Sequence, residues 1–236
     1  MPWQLSLHGG RLGALPWPDA LAGLPQPQEP ATLAGWQQAL LEGQTWLLLP
    51  QDERPRQAQW QAWGQVNLQF GRAGLAWVLA QLDKAKAPAR LLALAPKRPA
   101  WLAIDWTPAA SGLRLEHLAL DGQPQGQLDL GALLEKGQAA CPRPALLSCP
   151  GMGREADLGW LWPCLGKLGD WSQAQWQFAE ASLGELDVVG SLYRLWQLHQ
   201  DFMEGALPGK AVTLELDSSP MAALAVLGWT HEQGIA

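Results

Sequence analysis

Cationic side chains are scarce. Lys and Arg number 16 against 22 Asp and Glu, a formal net charge of −6 over 236 residues. That leaves no basic surplus to gather phosphates, so nucleic acid is not an expected partner. Long apolar runs are missing as well: none approaches the ~18 residues a membrane helix needs. The opening Met1-Pro2-Trp3-Gln4-Leu5-Ser6-Leu7-His8-Gly9-Gly10 has no basic start leading into an apolar stretch of the secretory kind. A soluble cytoplasmic protein without membrane contact is expected. Cys141, Cys149 and Cys164 cannot all pair and show no Cys-x-x-Cys spacing, so reduced core thiols are expected. His8, His117, His199 and His231 fall on separate elements without an i, i+4 pair. No metal and no cofactor are therefore expected. Gly151-Met152-Gly153 lacks the third glycine of a dinucleotide loop and the Lys-Ser/Thr ending of a P-loop, and no Gly-x-Ser-x-Gly elbow is present.

What the chain does have is a hydrophobic content of 48%, enough for a sizeable core, and tryptophan: 15 of them, against one tyrosine and three phenylalanines. Most are expected inside. The rest bear on function, because indole is enriched where one protein grips another.

The patterning resolves into short elements. Trp3-Leu5-Leu7 alternates as an edge strand would, and a short helix is expected near Ala31–Leu41. Thr45–Pro50 reads as a buried strand, Pro55–Trp63 as helical, and Val66–Phe70 as an alternating strand. Gly71 then opens a helix to about Ala85, with Leu75, Val78, Leu79 and Leu82 on one stripe. Arg90–Ala95 and Trp101–Trp106 are strands. Leu113–Leu120 alternates strictly before Asp121-Gly122 and leads, as a hairpin or an extended connection, to a polar stretch returning near Gln127–Leu130, followed by a short helix over Gly131–Gln138. The second part runs through a strand at Ala145–Cys149, a helical stretch at Arg154–Leu168 and a strand at Trp176–Ala181. A helix at Asp187–Glu204 follows, stopped by Gly205 and Pro208. Strands at Ala211–Leu216 and Met221–Trp229 close the chain. His199 falls on the polar side of its helix, where a solvated ring is expected.

From Thr45 and again from Ala145 the order is strand, helix, strand, helix, strand, strand. This duplication implies an α/β fold of two βαβαββ halves, 45–138 and 139–236, with 1–44 as an N-terminal segment of the same domain. The two sheets are expected to be layered with helices packed together at the centre, because either half alone would leave a helical face bare.

The duplicated order, with a glycine-bearing turn before the second helix of each half, resembles the thiolase superfamily, and within it the ketoacyl synthases. The detailed match is Ala181-Ser182-Leu183-Gly184-Glu185-Leu186-Asp187-Val188-Val189-Gly190-Ser191-Leu192. It is similar to the family's Gly-His-x-x-Gly-Ala-Ala-Gly stretch; the outline extends over 45–229 in a trimmed form. The resemblance implies a cysteine nucleophile at the start of the second helix of the first half, where this chain has Gly71 and Arg72. It implies a histidine after the first strand of the second half, where Cys149-Pro150-Gly151-Met152-Gly153 puts Pro150, and a second histidine where Gly184 stands. With all three positions replaced, condensing activity is not expected, since such residues act as a unit.

The expected role is then a non-catalytic, protein-binding one. The resemblance implies a homodimer or heterodimer paired through Val66, Leu68 and Phe70. Trp60, Trp63, Trp160 and Trp162, in the first helical segments of the two halves, are candidates for meeting a partner. Shortened, catalytically empty relatives beside bacterial type VI secretion effectors make an effector-loading adaptor or chaperone the leading expectation. The alternative is a subunit of a fatty-acid or polyketide ketosynthase system that binds an acyl carrier protein, with Arg90, Lys97 and Arg98 as the modest basic candidates for docking it. Cys149, before its glycine turn, invites a nucleophile reading, but a buried strand-end thiol is the expected state.

Overall fold

A computed structural model describes residues 1–12, 44–62, 66–97, 100–122, 130–151, 159, 162–181, 183–216 and 221–231. In chain order, β1 is Trp3–Leu12, β2 Thr45–Leu49, β3 Val66–Phe70, β4 Ala89–Ala95, β5 Ala100–Pro108 and β6 Gly112–Gly122. The later strands are β7 Leu146–Cys149, β8 Gln175–Phe178, β9 Ala211–Leu216 and β10 Met221–Thr230. The helices are α1 Gln57–Gln61, α2 Arg72–Ala85, α3 Leu130–Ala140 and α4 Val188–Met203. Short 3-10 turns cover Gln51–Arg56, Trp162–Lys167, Gly169–Gln173 and Ala179–Ala181.

The strands form one ten-stranded sheet in the order β3-β2-β4-β5-β1-β6-β10-β9-β7-β8. Read outward from its centre, the order is palindromic: β1, β5, β4, β2, β3 on one side correspond to β6, β10, β9, β7, β8 on the other. In both halves the two outer pairings are parallel and the next inward is antiparallel. The duplicated order is thus present in the backbone, but the seam falls between β5 and β6 rather than at 138/139: β6 belongs to the second half-sheet, and β1 from the N-terminal segment completes the first. The halves touch within the sheet at one register pair, Trp3 opposite Leu113. Gly112 makes this join possible: its φ is +143°, and a Cβ there would lie 2.0 Å from the Trp3 carbonyl oxygen.

The layering follows from burial. α2, from the first half, packs on β6, β9 and β10 of the second as well as on its own β3, whereas α4 packs on β1, β4 and β5 of the first. The two helices touch each other between the half-sheets. α4 is buried nearly all round, from Val188 through Phe202, as a helix covered on every side must be. The stripe Leu75, Val78, Leu79 and Leu82 joins Val189, Leu192, Leu195 and Leu198 in the central core. On the outer face of the second half, Leu130, Leu133 and Leu134 of α3 cover Val212, Leu214, Leu224 and Val226. Among the described residues no helix is long and apolar enough to cross a membrane.

Several expectations need correction. β1 is not an edge strand: it pairs with β5 along its length and meets β6 at Trp3. Its half-buried Gln4 amide donates to the Ser111 carbonyl at 2.9 Å, while Ser6 and His8 stay exposed. β6 runs on to Gly122 and pairs with β10; of the return expected near Gln127–Leu130, residues 127–129 lie outside the described residues and Leu130 opens α3. Of the helical stretch expected at 154–168, residues 152–158 and 160–161 lie outside the described residues. Residues Trp162–Lys167 form a 3-10 turn, in keeping with Pro163 and Gly166 there. β8 stops at Phe178 and the chain turns at Ala179–Ala181, which carries Glu180 inward. The helix expected near 31–41 also lies outside the described residues.

Candidate functional site

Both central helices begin at the carboxyl ends of parallel strands, and both begin on a residue with positive φ. α2 follows Gly71, at φ 81° and ψ 166°, whose N–H donates to the Leu49 carbonyl at 2.8 Å. α4 follows Asp187, at φ 55° and ψ −134°, where a side chain makes the conformation costly by about 1–3 kcal/mol. The Asp187 carboxylate offsets part of that cost by accepting the Val188 N–H at 2.7 Å.

Arg72 is the first residue of α2. A cation there opposes the positive end of the helix dipole, and the residue is only 8% exposed. Its compensation comes from the other half. The Arg72 Nη2 donates to Glu180 Oε1 at 3.0 Å and Oε2 at 3.2 Å. Glu180 is wholly buried and takes two more bonds, from the Leu186 N–H to Oε1 and the Gly151 N–H to Oε2, both at 2.8 Å. The Glu180 carbonyl accepts the Gly184 N–H at 2.9 Å. Gly190, in the first turn of α4, supplies the remaining room: a Cβ there would meet Oε1 at 2.3 Å.

A second pair lies close behind. Arg194 Nη2 donates to both oxygens of Glu215 at 2.6 Å, and the Ser191 hydroxyl donates to Glu215 Oε2 at 2.6 Å. Burial pushes the Glu180 carboxyl up, but Arg72 and then Arg194 outweigh it and hold the group below the usual carboxylate range. Burial likewise draws the Arg72 guanidinium down, and Glu180 more than restores it. The arrangement is a charge-balanced network of two arginines and two glutamates, crossing the seam between the halves. Its one hydroxyl, Ser191, is buried and donates to Glu215, and the Glu180 carboxylate is held ionised with both oxygens engaged.

The three positions singled out in the sequence come together here. Gly71 precedes Arg72, Pro150 precedes Gly151, and Gly184 bonds the backbone of Glu180, so neighbours of all three converge on one carboxylate. Glu180 itself was missed. In sequence it is a polar residue near the end of an alternating stretch, and its one distinguishing feature is the turn that ends β8 before it.

Cys149 lies on the opposite face of its strand, fully buried in the apolar cluster under α3, where burial pushes its thiol to about 12. It is a core thiol, and Cys141 and Cys164 are likewise buried. His199 is not solvated. It is 1% exposed, its Nε2 accepts the Leu5 N–H at 3.2 Å, and its ring meets Trp229 edge-on. The helix side read as polar faces β1, whose backbone supplies the partner.

Val66, Leu68 and Phe70 lie on β3, one of the two edge strands. Trp60 is half-buried against the apolar cluster that includes Val66 and Leu68, its Nε1 donating to the buried Glu53 at 3.1 Å. Trp63 and Trp160 lie outside the described residues, and Trp162 opens a 3-10 turn. Trp77 on α2, which the sequence did not favour, is 37% exposed and meets Trp46 edge-on. Arg90 is buried and bonded to Asp105 at 2.7 and 3.1 Å. Lys97 is bonded to Asp52 at 2.5 Å, and Arg98 lies outside the described residues. Among the described residues no three of His, Cys, Asp and Glu are placed to hold a metal ion.

No protein-family model matches the chain, and no curated protein matches it. Solved structures do. An oxazolomycin ketosynthase domain from Streptomyces albus JA3453 aligns over 81% of this chain and 74% of its own, at 10% identity and a TM-score of 0.56. The 1,3,6,8-tetrahydroxynaphthalene synthase of Streptomyces coelicolor A3(2), a bacterial type III polyketide synthase, aligns over 84% and 77%, at 14% identity and a TM-score of 0.52. A tetronic acid condensing enzyme aligns over 78% of each chain, at 13% identity and a TM-score of 0.53. With its palindromic sheet order and its two buried central helices, the chain therefore has a thiolase-like fold, the fold of the ketoacyl synthases.

Proposed function

We propose that this chain is a non-condensing ketoacyl-synthase-like subunit that works by binding another protein, and that its partner is an active condensing subunit of fatty-acid or polyketide assembly. The observation that carries the first part is the Arg72–Glu180 pair. At the point where the resemblance requires a thiol beside two imidazoles, there is a guanidinium paired with a buried carboxylate. Neither group is a thiol that could carry the acyl chain as a thioester, as condensation requires. Support for the partner comes from the fold, shared with condensing enzymes, and from β3, whose outer edge is a ready template for strand pairing. Carrier-protein docking is assigned to the partner, since Arg90 and Lys97 are already committed to Asp105 and Asp52.

Affinity purification from the native cell, with intact-mass measurement of everything that elutes, tests the reading. A stoichiometric ketosynthase upholds it. A secretion effector in its place would return the function to an effector-loading adaptor, and an acyl group carried covalently on this chain would overturn the non-condensing role.

A further inference from the structure

The surroundings of the Glu180 carboxylate have the form of a receptor. Three donors from three separate segments converge on it: Arg72 at the start of α2, Gly151 in the turn after β7, and Leu186 just before α4. Each oxygen takes one backbone N–H as well as a share of the guanidinium, so the set matches a planar, two-oxygen anion rather than a sphere. Gly190 leaves the space that the carboxylate fills. Backbone donors fixed in a buried setting are the kind of group that stabilises anionic oxygen. The charge sign agrees, since removing the Glu180 side chain takes from buried Arg72 its largest electrostatic partner, leaving the weaker effects of Glu215 and Asp187.

We infer that this point is an anion site that the chain occupies with its own side chain, and that in the absence of the Glu180 carboxylate it takes a small free carboxylate instead. The fit is close, because Glu180→Ala deletes the heavy atoms of one acetate ion. The site is therefore plugged rather than dismantled, and the plug excludes any carboxylate or oxyanion that would otherwise settle between the two central helices.

The test is thermal unfolding of full-length Glu180→Ala titrated with sodium acetate at constant ionic strength. The expected result is a saturable rise in Tm of about 3 °C or more, smaller with formate, and absent with chloride or with acetamide, the neutral isostere of acetate. The rise is also expected to vanish in Arg72→Met/Glu180→Ala. Equal responses to chloride or acetamide, or a response that survives loss of Arg72, would overturn the inference. If Glu180→Ala is recovered only unfolded, refolding from urea replaces the melt. Recovery in acetate but not in chloride upholds the site; failure in both, while Arg72→Met/Glu180→Leu folds, rejects it.

Discussion

Arg72 and Glu180 illustrate why a buried pair is judged by what its removal leaves behind. Each charge has been taken out of water, and their attraction offsets that cost only while both are present. Arg72→Met and Glu180→Leu are each expected to lower unfolding free energy by about 3–5 kcal/mol, while Arg72→Met/Glu180→Leu loses far less than the sum. Urea denaturation of the four proteins closes this double-mutant cycle, and additive losses would contradict the pairing. His199 gives a separate signature. Its ring is pushed to about 4 by burial, against 6.5 when exposed. Between those values the unfolded chain takes up a proton that the folded one refuses, so stability falls as pH drops from about 6.5 to about 4 and levels off below. Glu180, held below its ordinary value, adds a loss only at lower pH, as the solution passes through its depressed titration. His199→Gln is expected to flatten the upper window and leave the lower one. Neither residue's role was legible in sequence, because both depend on partners contributed by distant strands and loops, Leu5 for one and Arg72 for the other.

At the scale of elements the reading was far more complete, since hydrophobic period is a local property and these strands and helices obey it. β2 to β5, α2, α4, β9 and β10 lie where alternation or helical stripes put them. The failures share a cause: β1 and β6 were judged by their immediate neighbours in sequence, whereas each pairs with strands remote from it. The edge strand β3 carries the element-level prediction. Asn67 is exposed on it, so Asn67→Lys adds a charge to the edge without disturbing the apolar cluster beneath. Association with a partner through this strand should weaken at least tenfold while Tm stays within about 2 °C, as surface substitutions do. Native mass spectrometry and a melt together decide it; unchanged association would place the interface elsewhere.

On the scale of the whole molecule, two half-sheets meet at a single register pair, yet each central helix rests on the opposite half. Neither half can bury its inner face alone. Tryptophan fluorescence and far-UV circular dichroism should therefore report one coincident urea transition rather than two; separate midpoints would show that the halves fold independently. Arg72→Cys, which restores the thiol that the resemblance calls for, is expected to acquire no acyl mass when incubated with acyl thioesters. Pro150 and Gly184 remain unable to assist, and Glu180 then stands beside the new thiol and resists its ionisation.

The cross-seam pair also constrains how such a sequence can change over generations. Placing a thiol at 72 by a single substitution leaves the Glu180 carboxylate without Arg72; removing Glu180 alone takes from Arg72 its largest electrostatic partner. Either intermediate gives up about 3–5 kcal/mol from a total stability of about 5–15 kcal/mol, and the occupied space against Gly190 closes gradual side routes. The salt bridge thus ties two positions that lie 108 residues apart: a change at either end is tolerated only together with a change at the other.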